Sequence, residues 1–269
     1  MTNYLRAVVL TLTAIFCISC ASLAQRQDRG LTCENSWNGR GDGQRHCEIK
    51  ELPLQASGVV KVDGRQNGGV SIKGWDRNEI LVRAKIEAQA PTESEAHALG
   101  NQVRIETAGA NIYADGPQSR DKSWWSVSYE VFVPRRSDLE LKAHNGGISI
   151  SGVGGNMIFE TTNGGVSLQD VSGKVQGRTS NGGLSVRLSG NRWEGEGLDV
   201  RTTNGGVNLV LPENYSARLE TSTVNGGFNL GIPVVMQGKI DKSVSTDLGS
   251  GGATLRLTTT NGGVSVKRQ

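Results

Sequence analysis

Thr161-Thr162-Asn163-Gly164-Gly165-Val166-Ser167-Leu168 decides how this chain folds, because it returns. Thr202-Thr203-Asn204-Gly205-Gly206-Val207-Asn208-Leu209 and Thr259-Thr260-Asn261-Gly262-Gly263-Val264-Ser265-Val266 repeat it almost residue for residue. Asn-Gly-Gly occurs seven times, starting at Asn67, Asn145, Asn163, Asn181, Asn204, Asn225 and Asn261. From Asn145 onward the spacings are 18, 18, 23, 21 and 36 residues. The last is twice the first, and Ser250-Gly251-Gly252-Ala253-Thr254-Leu255 within it reads as a degenerate copy.

Each repeat can be numbered from its Asn. Apolar residues or Thr stand at −6, −4 and −2, as in Met157, Phe159 and Thr161 or Leu198, Val200 and Thr202. Apolar residues return at +3 and +5, as in Val166 and Leu168 or Val207 and Leu209. The positions between are polar. Period-two alternation bounded by Asn and Gly marks short strands with one buried face. Asn tolerates a left-handed backbone and Gly takes positive φ freely, which accounts for the turn residues.

Two folds share this parity. In a hairpin, −2 pairs with +3 across a tight turn. In a solenoid the turn is a corner, and each strand pairs with its equivalent in the next coil. Stacking places like above like, so Asn and Thr form rows that hydrogen-bond along the axis. Repeated identity therefore favours an all-β fold, a right-handed parallel β-helix or solenoid with two or three short strands per coil. An antiparallel β-sandwich of hairpins is the alternative.

The chain begins with an export-like segment, residues 1–24. Arg6 is its positive charge, Ala7 to Ile18 an apolar run, and Ser22-Leu23-Ala24 a small-x-small cleavage site. A second reading takes Cys20 as an acylated lipoprotein cysteine, although Cys17 stands where Leu is expected. No later segment is apolar enough to cross a membrane. Export to the periplasm, outer membrane or cell surface follows. The mature chain then keeps two cysteines, Cys33 and Cys47, expected to pair in an oxidising compartment.

Residues 25–52 form a polar segment stapled by that disulfide. They include Trp37 and Arg40-Gly41-Asp42, which reads as a turn rather than a recognition tripeptide. Residues 53–136 form an N-terminal β-rich region. Thr92 with Glu95 makes a capping box there for one short helix between Pro91 and Gln102. The strand from Trp124 to Val133 closes this region at Pro134. Residues 137–269 are the solenoid repeats, and Lys267-Arg268-Gln269 ends on a coil with an open edge.

The Thr-Asn-Gly-Gly-Val repeat resembles the bacterial putative adhesin family, exported proteins with a β-helical domain of unassigned chemistry. Arg45-His46-Cys47-Glu48, Gly74-Trp75-Asp76, Tyr129 to Arg136 and Trp193 to Val200 add to the resemblance, which covers about residues 45–269. It implies fold, export and an adhesive role, and transfers no catalytic residue.

The residues carry little else that is chemical. Asp199 and Glu220 occupy equivalent outward positions in successive repeats, the one arrangement suited to a polysaccharide-cleaving carboxylate pair. Neighbouring arginines make a solvated mixed-charge face the simpler account. His46, His97 and His144 are scattered and match no nucleophile signature. The calcium-binding Gly-Gly-x-Gly-x-Asp pattern is missing, and no Gly-Gly opens a helix as a phosphate loop requires. No metal or cofactor is expected. The net charge of +3 is scattered, giving no reason to expect nucleic acid. Trp193, Trp124 and Trp125 remain as candidate contacts for glycan or protein. Trp193 is placed on a bulging loop of the 23-residue repeat, and the other two at the seam with the N-terminal strands. The reading is a non-catalytic exported adhesin-like solenoid at the cell envelope. A structural scaffold or, behind it, a polysaccharide-active enzyme is the alternative.

Overall fold

The structure is a computed structural model that describes residues 30–34, 43–232 and 242–269. The export-like residues, Cys20, Trp37 and Arg40-Gly41-Asp42 lie outside the described residues.

Each Asn-Gly-Gly joins two strands that lie in different sheets. Gly154–Thr161 and Val166–Gln169 flank Asn163, for example, and belong to opposite ten-stranded sheets. The tripeptide is therefore a corner, and the hairpin alternative fails because the two strands beside it never pair. Each strand instead pairs in parallel with its equivalent in the next coil, as Met157 with Val175 and Leu139. Every coil contributes two strands, one per sheet. Inward side chains at −6, −4, −2, +3 and +5 fill the space between the sheets. Leu198, Val200, Thr202, Val207 and Leu209 are all buried. A fully buried aliphatic side chain contributes about 1.5–3 kcal/mol, so the shared face is what holds coil to coil.

The expected ladders form. Asn145 donates from Nδ2 to Asn67 Oδ1, and the bond recurs through Asn163, Asn181 and Asn204 at 2.8–2.9 Å. Thr at −2 donates to the first-glycine carbonyl of the neighbouring coil, as Thr179 to Gly164 at 2.7 Å. The corner glycines, however, are not there for their torsion angles. No residue of any Asn-Gly-Gly is among the positive-φ residues. A Cβ on Gly146, Gly164, Gly182, Gly205 or Gly262 would lie under 3.0 Å from the adjoining coil's corner backbone. Glycine is required by close approach, which corrects the positive-φ reading.

The stack order departs from chain order. The coils run Asn67, Asn145, Asn163, Asn181, Asn204, Asn261, Asn225. Thr254–Asn261 lies between Gly197–Asn204 and Ala217–Asn225. The last coil of the sequence is thus interior, not the open edge expected of Lys267-Arg268-Gln269. Arg268 meets Glu213 at 3.5 Å, and Gln269 N donates to the Leu211 carbonyl at 3.0 Å. Nor is Ser250–Leu255 a degenerate corner. Ser243–Leu248 runs antiparallel to Ala217–Asn225 and covers that edge, and Gly251 and Gly252 turn the chain back with positive φ.

At the other end both sheets continue without a break. Trp124–Pro134 adds in parallel to Val70–Trp75, then Glu79–Ala90 and Gln44–Gln55 add antiparallel. The helix forms at Glu93–Gln102 with the expected capping box, Thr92 N donating to Glu95 and Glu95 N to Thr92 Oγ1. Cys33 and Cys47 are bonded.

Candidate binding surface

Beside the Asn ladder runs a trough along the stack axis. Its floor is the second glycine of six corners, Gly147, Gly165, Gly183, Gly206, Gly263 and Gly227. Its rim is the outward +4 row, Ser149, Ser167, Ser185, Asn208, Ser265 and Asn229. The glycines supply no side chain, and the +3 residues turn inward, so the surface dips. The trough is shallow and open, with a volume of about 1020 Å³ over six coils and a length of about 24 Å at the usual strand spacing of about 4.8 Å. Its surface is mainly apolar, from the glycines and the +3 residues, of which Phe228 is only half-buried. The +4 row adds hydroxyls and carboxamides, and no charged group lines it.

The opposite corner holds a second cleft of about 920 Å³, lined by Arg135, Arg136, Asp138, Asp170 and Glu194. Several of its charges are already engaged. Arg135 binds Asp76 through two bonds of 2.6 and 3.0 Å, and Asp138 accepts from Asn156 N at 2.7 Å. The Arg135 hydrogen bond holds the Asp76 carboxyl below its ordinary value.

The outer face of the sheet containing Asp199 is a charge ladder. The inserted coil separates Asp199 from Glu220 and places Arg256 between them, in register with both. Arg256 lies 3.6 Å from Asp199 and 2.7 Å from Glu220, and Arg218 also reaches Glu220. The Arg256 hydrogen bond keeps the Glu220 carboxyl below its ordinary value. A general acid needs the opposite shift. The two carboxylates expected to be neighbours are thus separated and neutralised, because the coils stack out of sequence order.

The tryptophans divide. Trp193 is 5% exposed and joins the core, its indole N–H donating to the Gly173 carbonyl at 3.0 Å. The residues on either side of it, Ser189 to Arg192 and Glu194 to Glu196, are exposed as a bulging loop at the second corner. The Trp193 side chain turns inward from that loop instead of standing on its surface. Trp125 packs half-buried against the core and donates to the Pro117 carbonyl at 2.7 Å. Trp124 is half-buried on the other side of that strand, facing out. The structure does not bring Trp193 together with the other two.

One cluster had no sequence signal. Glu130 is 3% exposed, accepts from Lys73 Nζ at 2.8 Å and pairs with the Arg83 guanidinium. Burial works to raise its pKa, but the hydrogen bonds from Lys73 and Arg83 prevail and hold it below the ordinary value. Leu31 lies over the cluster, its carbonyl accepting from Arg83 at 3.4 Å. The Cys33–Cys47 bond ties this segment to the strand Gln44–Gln55. Glu130's partners are 57 and 47 residues away, so only the sheet order reveals them. The trough was closer to legible, since the polar +4 row can be read from the aligned repeats.

His46 and His97 meet edge to face with ring centroids 4.7 Å apart. Among the described residues no group of three His, Cys, Asp or Glu side chains is arranged to hold a metal. No described helix is long and apolar enough to cross a membrane.

Two facing, mainly parallel sheets wound from two-strand coils, with an open trough along one corner, define a β-solenoid-like repeat protein. The chain belongs to the Toastrack DUF4097 family, whose sequence profile matches residues 59–267. No curated protein matches it. Similar solved structures include a putative cell adhesion protein from Clostridium sporogenes, 11% identical, TM-score 0.45, covering 84% of this chain and 100% of that one. A putative adhesin from Bacteroides fragilis is 9% identical with TM-score 0.30, covering 82% of this chain and 97% of that one. One from Parabacteroides merdae is 11% identical with TM-score 0.30, over 82% and 96% respectively.

Proposed function

We propose that this is a non-catalytic, exported protein of the cell envelope whose stack binds an extended partner, adhesin-fashion, along the corner trough. The observation that carries the reading is the trough itself, a glycine floor repeated over six coils and rimmed by hydroxyls and carboxamides, of which only the Ser265 hydroxyl is buried. A surface with one repeating chemistry suits a polymer with its own repeat better than a compact substrate. A mainly apolar floor edged by uncharged hydroxyls and amides suits the apolar faces and hydroxyl edges of the sugar rings of a glycan. A protein partner is the other outcome, with half-buried Trp124 as a secondary contact; Trp125 packs against the core and Trp193 braces the opposite corner from within. A scaffold that binds nothing specific is the competing reading.

Export rests on residues 1–24, with acylation at Cys20 as its variant. We take residues 53–136 as the opening region of the stack and 137–269 as its repeat. Right-handed winding belongs to the same reading, since parallel crossovers take that hand in about 98% of cases.

The test is retention of the mature, oxidised protein on a glycan array and on isolated envelope polymers. Ser167→Arg and Ser185→Arg fill the trough from outward positions and leave the core alone. Retention should fall at least tenfold with the melting temperature unchanged. Unaltered retention by both variants, or wild-type retention no better than a blank protein on every surface, sinks the proposal.

A further inference from the structure

The Asn261 coil follows the Asn225 coil in the chain yet lies inside it in the stack. Laying down the Asn225 coil leaves a gap one coil wide, which the later segment then fills. The fill is in register on both sides. Thr254–Asn261 pairs with Gly197–Asn204 and Ala217–Asn225, and Val264–Arg268 with Val207–Leu211 and Phe228–Leu230. Asn261 Nδ2 donates to Asn204 Oδ1 at 2.7 Å, and Asn225 Nδ2 donates to Asn261 Oδ1 at 2.8 Å. Thr259 donates to the Gly205 carbonyl and Thr223 to the Gly262 carbonyl.

The two walls of this gap also match each other. Leu198 and Thr202 on one wall correspond to Leu219 and Thr223 on the other, all buried. Closing the gap without the Asn261 coil would keep these rows aligned but set Asp199 against Glu220, the carboxylates that Arg256 separates, so the gap favours being filled by a coil of this pattern. The segment enters through a glycine turn, with Gly249, Gly251 and Gly252 all at positive φ, which can serve as a hinge.

We propose that residues 253–268 are exchanged between molecules, each chain donating this coil into the gap of a second copy. The occupant is a second copy because the gap is matched to this coil's own rows on both sides. Inside the partner the coil makes the same pairings and ladder bonds as at home. Only the hinge differs, so protein concentration and the opening of the gap set the balance. The inference is independent of what the trough binds.

The experiment uses full mature chains. Asn208 and Ser265 are register partners in adjoining parallel strands on the outward row, at the spacing a disulfide tolerates. Protein carrying Asn208→Cys is mixed with protein carrying Ser265→Cys at high concentration, warmed to just below melting, cooled and mildly oxidised. A non-reducing gel should show a mixed dimer at least tenfold above the unwarmed mixture. It should equally exceed the out-of-register pair Ser167→Cys with Ser265→Cys. One chain carrying both Asn208→Cys and Ser265→Cys, oxidised when dilute, should close an internal bond, which shows that the variants fold in this register. A mixed dimer no stronger than the out-of-register background, with the internal bond formed, overturns the exchange. Failure of the internal bond overturns the register it rests on.

Discussion

Gly182 and Gly183 stand side by side in one corner, and alanine should have opposite consequences at the two. A Cβ on Gly182 would fall roughly 1 Å inside contact distance of the Gly164 carbonyl. Its other near neighbours are the Gly164 carbon and the Gly165 nitrogen, so everything in the way is backbone. The corner must open by about 1 Å against a spacing of about 4.8 Å. Three bonds cross there: Asn181 Nδ2 to Asn163 Oδ1 at 2.8 Å, Thr179 Oγ1 to the Gly164 carbonyl at 2.7 Å, and Asn181 N to the Thr162 carbonyl at 2.8 Å. Losing two costs about 2 kcal/mol, and overpacking adds about 1–3 kcal/mol. Gly182→Ala should therefore destabilise by about 3–5 kcal/mol, a fall of roughly 6–20 °C in melting temperature for a chain of this size. A Cβ on Gly183 would lie 3.4 Å from the Gly206 carbonyl, which is ordinary contact. Gly183→Ala should cost less than about 1 kcal/mol, or stabilise by restricting the unfolded chain. Urea unfolding and scanning calorimetry of the oxidised mature protein measure both. Equal losses at the two positions refute the close-approach account of the corners.

Three further outcomes are expected. Gly177→Ala should cost about 1–3 kcal/mol, because its Cβ would strike the Phe159 ring of the adjoining coil; adding Phe159→Leu should recover part of it, and strictly additive losses in a double-mutant cycle contradict this. Glu130→Gln leaves Lys73 and Arg83 facing a neutral amide and should cost about 3–5 kcal/mol. The folded-state pKa of Glu130 is lowered, so its stabilisation is full above the unfolded carboxylate value of about 4.3 and is lost as pH falls through the folded value. Wild type should then lose stability more steeply than the variant below about pH 4, and parallel acid limbs refute the assignment. Joint replacement of Cys33 and Cys47 by Ser releases a loop of about 15 residues and should cost about 3 kcal/mol, with faster amide exchange along Gln44–Gln55; unchanged melting and exchange disprove it.

The sequence made one face of every coil legible, because a period of two and a buried row are the same statement. The Asn and Thr rows were legible for a related reason, since repeated identity has a use only where coils stack. Coil order was not. The Asn261 and Asn225 coils carry the same inward pattern, so either order satisfies it, and only the connections choose. That one choice separated Asp199 from Glu220 and buried the expected open edge. The five extra residues do bulge outward, but the length of a loop does not say which way one side chain on it points, and the Trp193 indole turned in to a carbonyl at Gly173. Glu130 was invisible because its alternating position reads as solvated until the segment around Leu31 is laid over it.

The Asn ladder also governs how the molecule ages. Asn-Gly is a thermolabile dipeptide, since the glycine nitrogen can attack the preceding side-chain amide and expel ammonia. Here the nitrogens of Gly182, Gly205 and Gly262 are tied to the carbonyls of Asn204, Asn261 and Asn225. Each interior side-chain carbonyl also accepts from the next rung. Attack requires both groups to let go and rotate, so the stacking that joins the coils also slows their conversion to aspartate. Asn225 stands at the end of the ladder, with no further rung among the described residues to hold its carbonyl. Chemical wear should start there and travel inward, each new negative charge deleting one donor.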